Sequence, residues 1–190
     1  MRPAWMSKCE TRAIRAVARL SDTQELIRAA TQSPRQSARV AAVQRIDDDD
    51  ALLQVLRESH HCDVHEAAVR RVRETSSLIP YALNGPYIPA RCAALERIED
   101  QDTIRKVVLD DPCGWVKEAA MKQMVDQQFL ADIVLGLYEL DIPARVCAAR
   151  HVTQEDAARR VYDAIQSGSF GDYTGEFLDA LREGSSNLIA

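Results

Sequence analysis

Residues 60–65 read HHCDVH, so that His60, His61, Cys62, Asp63 and His65 fall within six positions. Imidazole, thiolate and carboxylate are the ligand types of zinc, and no other stretch of the chain concentrates them in this way. Zinc sites, however, draw on separated ligand pairs, and the adjacent side chains His60, His61 and Cys62 chelate poorly without a fourth ligand from elsewhere. A second cluster, Asp47 to Asp50, is an unbroken run of carboxylates. Calcium is its natural ligand class, yet neither the glycine nor the closing glutamate of an EF-hand loop follows at the required spacing. The chain contains no nucleophile–base pair and no phosphate loop. No catalytic residue, resident metal or cofactor is therefore expected.

The elements that carry these residues are set by a repeat. Ala16, Ala42, Ala68, Ala94 and Ala120 each lie 26 residues after the one before, and Ala148 follows after 28, which places a two-residue insertion near residues 138–142. Four residues beyond the alanines stand Leu20, Ile46, Val72, Ile98, Met124 and Val152, and further apolar positions recur ten, thirteen and fourteen residues on. Apolar steps of three and four residues predict helices, and the polar break between them predicts two helices per unit. The break holds Asp22, Asp48, Glu74, Asp100 and Asp126, each able to cap the N-terminus of the second helix. A unit this short cannot bury its apolar face alone, so neighbours must stack. The fold class expected is all-α, an α-solenoid of about six short helical hairpins. Residues 1–163 form the array with its N-terminal cap, and residues 164–190 form a connector and a short capping helix or tail.

Within this frame His60 to Asp63 belong to a turn between repeats, and His65 to a basic series, Arg39, His65, Arg91, Lys117 and Arg145, three residues before the alanine. That series emerges on the core side of its helix and is expected to pair with acids or carbonyls of adjacent repeats. Cys113 occupies an equivalent turn but lies two repeats away, too far to share a metal with Cys62. A second series, Arg19, Arg45, Arg71 and Arg97, lies three residues after the alanine and is the candidate anion- or partner-binding surface. Each of its members stands three residues before an acid, within reach of local pairing. Residues 129–140, FLADIVLGLYEL, have little polar face, and Leu135, Leu137 and Tyr138 form a candidate interaction patch.

Composition narrows the partner. The net charge of -5, from 24 basic and 29 acidic residues, argues against bulk affinity for nucleic acid or an anionic membrane. No apolar run approaches a membrane span, and the N-terminal segment lacks the apolar core of a signal peptide, so a cytoplasmic location is expected. Five scattered cysteines without a CxxC pair fit reduced thiols.

The local texts Val116-Lys117-Glu118-Ala119-Ala120, Ala90-Arg91-Cys92-Ala93-Ala94, Ala38-Arg39-Val40-Ala41-Ala42 and Val64-His65-Glu66-Ala67-Ala68 resemble the V-R-x-A-A pattern of short HEAT-like repeats, including those of the phycobilisome-lyase type. The leucine-rich variant repeat, of similar length and accompanied in some members by an iron–sulfur cluster, is the second resemblance, and the dispersed cysteines do not match that cluster. The resemblance implies a right-handed solenoid acting as a non-catalytic scaffold for a protein partner. Its alternative implication is a nucleic-acid-binding protein similar to the HEAT-like alkylpurine DNA glycosylases. That reading requires a basic concave face with an aromatic and carboxylate cleft. Assistance to a chromophore lyase is a third implication, carried by the repeat type alone.

Overall fold

The computed structural model describes residues 3–185, which contain helices and turns and no strand. Thirteen α-helices follow in order: α1 (Glu10–Val17), α2 (Thr23–Gln32), α3 (Gln36–Val43), α4 (Asp49–Glu58), α5 (Cys62–Arg71), α6 (Ile79–Asn84), α7 (Ile88–Leu95), α8 (Gln101–Asp110), α9 (Gly114–Gln123), α10 (Gln127–Val134), α11 (Ile142–Arg150), α12 (Glu155–Gln166) and α13 (Thr174–Gly184). Short 3-10 segments precede α1, α6 and α13. The chain divides into two compact units between Ile98 and Glu99, the first holding α1–α7 and the second α8–α13.

The repeat thus yields two helices per unit, and the acidic position ends the break as the spacing predicts. The carboxylates of Asp22, Asp48, Asp100 and Asp126 accept from the backbone N–H three residues on, at the starts of α2, α4, α8 and α10. Glu74 accepts from Ser76 N at the 3-10 turn that leads into α6. Each cap satisfies an N–H that the helix itself cannot pair.

Which helices pack as a hairpin differs from the sequence expectation. The close consecutive pairs are α2 with α3, α4 with α5 and α6 with α7 in the first unit, and α8 with α9 and α10 with α11 in the second. All but the last are joined by three-residue turns, at 33–35, 59–61, 85–87 and 111–113. The acid-bearing segments 18–22, 44–48 and 96–100 run to five residues each. Residues 60 and 61 therefore sit inside a hairpin turn, not between hairpins. Periodicity locates the helices but does not decide which neighbour lies closest: α9 and α10, joined by only three residues, are not a close pair, whereas α10 and α11 are, across the seven residues 135–141.

Like helices then stack on like. In the first unit α1 packs on α3, α3 on α5, α5 on α7, and α2 on α4; in the second, α9 packs on α11 and α10 on α12. The alanines at the contact, Ala42, Ala68, Ala94, Ala120 and Ala148, are fully buried, as are Val72 and Val152 four residues further on. Alanine at this position lets backbones approach closely, and the larger residues fill the space between layers.

The apolar stretch 129–140 is not one helix. It leaves the α-helical conformation after Val134, because Gly136 takes a left-handed φ of 78°. Gly136 N donates to Ile133 O and Leu137 N to Asp132 O, the paired bonds of a Schellman ending. Helix α10 is consequently two residues shorter than α2, α4 and α8, and the loop 135–141 absorbs both those residues and the insertion. At the other end, α13 packs on α11 and α12 and buries Phe177, Ala180 and Leu181. The hydroxyl of Ser185 donates to the Val152 carbonyl. Helix α13 lies within the span 164–190 read as a connector and a short capping helix or tail, and residues 186–190 of that span lie outside the described residues.

Candidate functional site

The first basic series forms a ladder of helix caps. Arg39 donates to Ser33 O (3.1 Å), His65 Nε2 lies 2.8 Å from Ser59 O, and Arg91 donates to Ala82 O (2.9 Å) and Leu83 O (3.0 Å). Lys117 donates to Leu109 O (3.0 Å), and Arg145 donates twice to Val134 O (3.1 and 2.7 Å). Every acceptor lies at the C-terminal end of the preceding helix, where unpaired carbonyls concentrate partial negative charge. This is the carbonyl pairing that the core-side position of the series predicts.

The HHCDVH segment is absorbed into the same scheme. Asp63 takes two bonds from the Arg39 guanidinium (3.3 and 3.0 Å), and the His60 carbonyl accepts from Tyr87 OH (2.7 Å). His65 is only 1% exposed, with Nδ1 2.6 Å from Tyr81 OH and its ring edge-on to Tyr87 at 4.7 Å. The Ser59 carbonyl can only accept, so Nε2 carries a proton, and the neutral ring accepts from the tyrosine hydroxyl at Nδ1 whenever Nδ1 is unprotonated. Burial, followed by the charges of neighbouring histidines, holds its pKa below the ordinary value, and burial likewise raises that of Tyr81.

The second basic series is engaged differently from the local Arg–acid pairing anticipated. Arg45 donates to Val17 O (2.5 Å), Arg71 to Ile46 O (3.1 and 2.9 Å) and Asp47 (2.7 Å), and Arg97 to Val69 O (2.5 Å). Each reaches one repeat back, because the neighbouring acid is already committed to its own cap. Arg19, at the start of the series, is exposed beside Arg12 and Arg15 in a shallow depression with Trp5 and Glu25. Of the apolar patch, Leu137 is 64% exposed, Leu135 is half-buried, and Tyr138 packs edge-on to Phe129 at 5.1 Å.

A third series is not anticipated by the sequence. Seven residues after the alanine, Asp49 accepts from the backbone N–H of Arg73 (3.0 and 2.8 Å) and Glu74 (2.8 Å). At the same place Gln101 accepts from Val125 N (2.9 Å), and the buried Gln127 accepts from Thr153 N (2.6 Å). The two amides hold the Asp49 carboxyl below the usual carboxylate range. An acceptor side chain at a fixed place in the repeat was the available signal.

A further surface feature lies within the second unit. It is a groove of about 520 Å³ between the starts of α9 and α11, closed by the loop 135–141. Trp115, 73% exposed, stands on one wall beside Pro112, and Pro143 and Ala144 form the other. Asp111, Glu118, Glu139 and Asp141 line it against only Lys117 and Arg150. Lys117 is turned to the Leu109 carbonyl, and Arg150 pairs with Glu183 at 3.0 Å. The groove therefore carries a surplus of carboxylates over apolar walls, with Glu139 and Asp141 forming its exposed acidic rim.

Of the lining residues, Glu118 of α9 and Cys147 of α11 meet His151, which follows α11 and does not itself line the groove, with one ligand atom from each lying within 4.8 Å of the others. Burial, together with the Glu118 charge, pushes the Cys147 thiol up to about 11. Burial, together with Lys122, lowers the His151 pKa. Among the described residues Nε2 of His151 is buried without a hydrogen-bond partner. Ligand density along the chain points to residues 60–65 and passes over this set. The Cys-x-x-x-His spacing of 147 and 151 was visible, but Glu118 joins it only through the packing of α9 on α11. No known protein family, curated protein or solved structure matches the chain.

Proposed function

We propose that this chain is a non-catalytic binding scaffold of HEAT-like repeats, stacked as a right-handed α-solenoid and working in the cytoplasm, with another protein as its partner. The observation that carries the reading is the groove between α9 and α11, in which an exposed tryptophan and two prolines are set within an acidic rim. Aromatic anchors in such surroundings supply contact area at low conformational cost, and the surplus of carboxylates favours a segment with basic residues. The stacking of like helices supports the repeat assignment, and five cysteines without a disulfide fit a reducing compartment. Among the described residues no helix is long and apolar enough to cross a membrane. The nucleic-acid alternative draws no support from Arg45, Arg71 and Arg97, whose guanidinium groups already serve backbone carbonyls.

The test immobilises the wild-type chain and its Trp115→Ala and Glu139→Lys variants and passes native lysate over each, with and without nuclease. The expected result is one protein retained through nuclease treatment by the wild type and lost from both variants. Retention that disappears with nuclease, or that ignores both substitutions, overturns the reading.

A further inference from the structure

The groove carries chemistry that partner binding does not use. Cys147 and His151 are four residues apart at the end of α11, so thiol and imidazole project to one side, and α9 brings Glu118 to meet them. The three ligand atoms lie within 4.8 Å of one another. Independently, Nε2 of His151 is buried with no partner among the described residues, and a buried nitrogen of this kind in a folded protein calls for a partner such as an ion or a water.

We propose that Glu118, Cys147 and His151 form a binding site for a divalent cation of the zinc class, with the fourth position open to the groove. A set of one sulfur, one nitrogen and one oxygen donor disfavours magnesium and calcium, which take oxygen ligands, and suits a borderline-soft ion. Tetrahedral zinc with bonds of ~2.0–2.3 Å sets its ligand atoms about 3.5 Å apart, so the set closes by about an ångström through side-chain rotation. Glu118 and Cys147 line the groove, which supplies the entry path and the water for the fourth position. Lys122, 3.4 Å from Glu118, is the competitor for the carboxylate. That pair is more than half exposed on the lysine side, and an exposed i, i+4 pair yields readily to a metal ion. Binding turns the thiol into a thiolate ligand and releases its proton to solvent. The site stands independently of the partner reading.

The experiment titrates the full reduced chain with Co²⁺ as spectroscopic probe and Zn²⁺ as competitor. One Co²⁺ per chain is expected, with a thiolate-to-cobalt charge-transfer band and the visible bands of a four-coordinate ion, all displaced by Zn²⁺. Cys147→Ser removes the charge-transfer band, and His151→Gln and Glu118→Gln each weaken Zn²⁺ binding by about tenfold or more. A combined His60→Ala, His61→Ala, Cys62→Ser variant leaves the spectrum unchanged. Circular dichroism monitors folding, and Glu118→Gln, a near-isosteric change at a half-buried position, still reports on the site where either of the other variants unfolds. No charge-transfer band in the wild type, its persistence in Cys147→Ser, undiminished Zn²⁺ binding by Glu118→Gln, or its loss in the turn variant overturns the proposal.

Discussion

Asp126 shows how much one side chain does in this chain. It accepts from Phe129 N to start α10 and pairs with Arg105 at 2.8 Å, and the Arg105 guanidinium in turn lies 4.1 Å from the centre of the Phe129 ring. The backbone N–H of Phe129, with Arg105, keeps its carboxyl below the usual range. Replacing it with alanine removes the cap, and Asp126→Ala should lower unfolding stability by about 1 kcal/mol, measured by urea denaturation with an unchanged slope. The role of this residue was legible in the sequence because capping depends only on local geometry. The same holds for the core-side cations, whose phase alone brings them to the end of the preceding helix. The Glu118–Cys147–His151 set was not legible, since it depends on which helix faces which. Nor was the Asp49, Gln101 and Gln127 series, whose amide partners lie 24 to 26 residues ahead.

Elements in this protein end where a particular residue makes them end. At α10 the apolar character of residues 129–140 suggests continuation, and the left-handed glycine at 136 overrides it. Hydrophobicity reports burial, whereas a glycine with positive φ reports backbone direction, and the second governs the end of a helix. Helix α13 depends on a glycine for another reason: a Cβ at position 184 would collide with the Arg150 carbonyl oxygen and stand 3.1 Å from that of Val152. Neither oxygen belongs to a flexible side chain, so relief requires α13 to lift from α11. Gly184→Ala should therefore destabilise the protein by about 1–3 kcal/mol and accelerate amide exchange in α13 before the rest of the second unit. Full exchange protection of α13 in that variant would contradict the close approach.

For the molecule as a whole, the histidines set the response to acid. His61 and His65 both have pKa values below the ordinary 6.5, chiefly because burial disfavours the imidazolium, assisted at His61 by Arg39 and at His65 by His60. The unfolded chain takes up protons at the ordinary value while the folded chain resists them. Stability is therefore full above about pH 6.5 and falls as the pH drops through that value towards the lower folded-state values. The melting temperature should decline as the pH falls below about 6.5, and His65→Gln should flatten the decline. A second loss follows below about pH 4, where Asp49, Asp100 and Asp126, whose folded-state pKa values are depressed, begin to take up protons. A melting temperature that rises on acidification would contradict the neutral His65–Tyr81 pair.

The bonds that Asp49, Gln101 and Gln127 make to amides in the following repeat carry a consequence for insertions. Each joins two positions with fixed places in the repeat, and where the spacing of the alanines lengthens from 26 to 28 residues the reach lengthens with it, from 24 residues at Gln101 to 26 at Gln127. An insertion between an acceptor and its amide must therefore be taken up locally for the bond to survive, as the two extra residues near 138–142 are taken up by the loop 135–141 between Gln127 and Thr153.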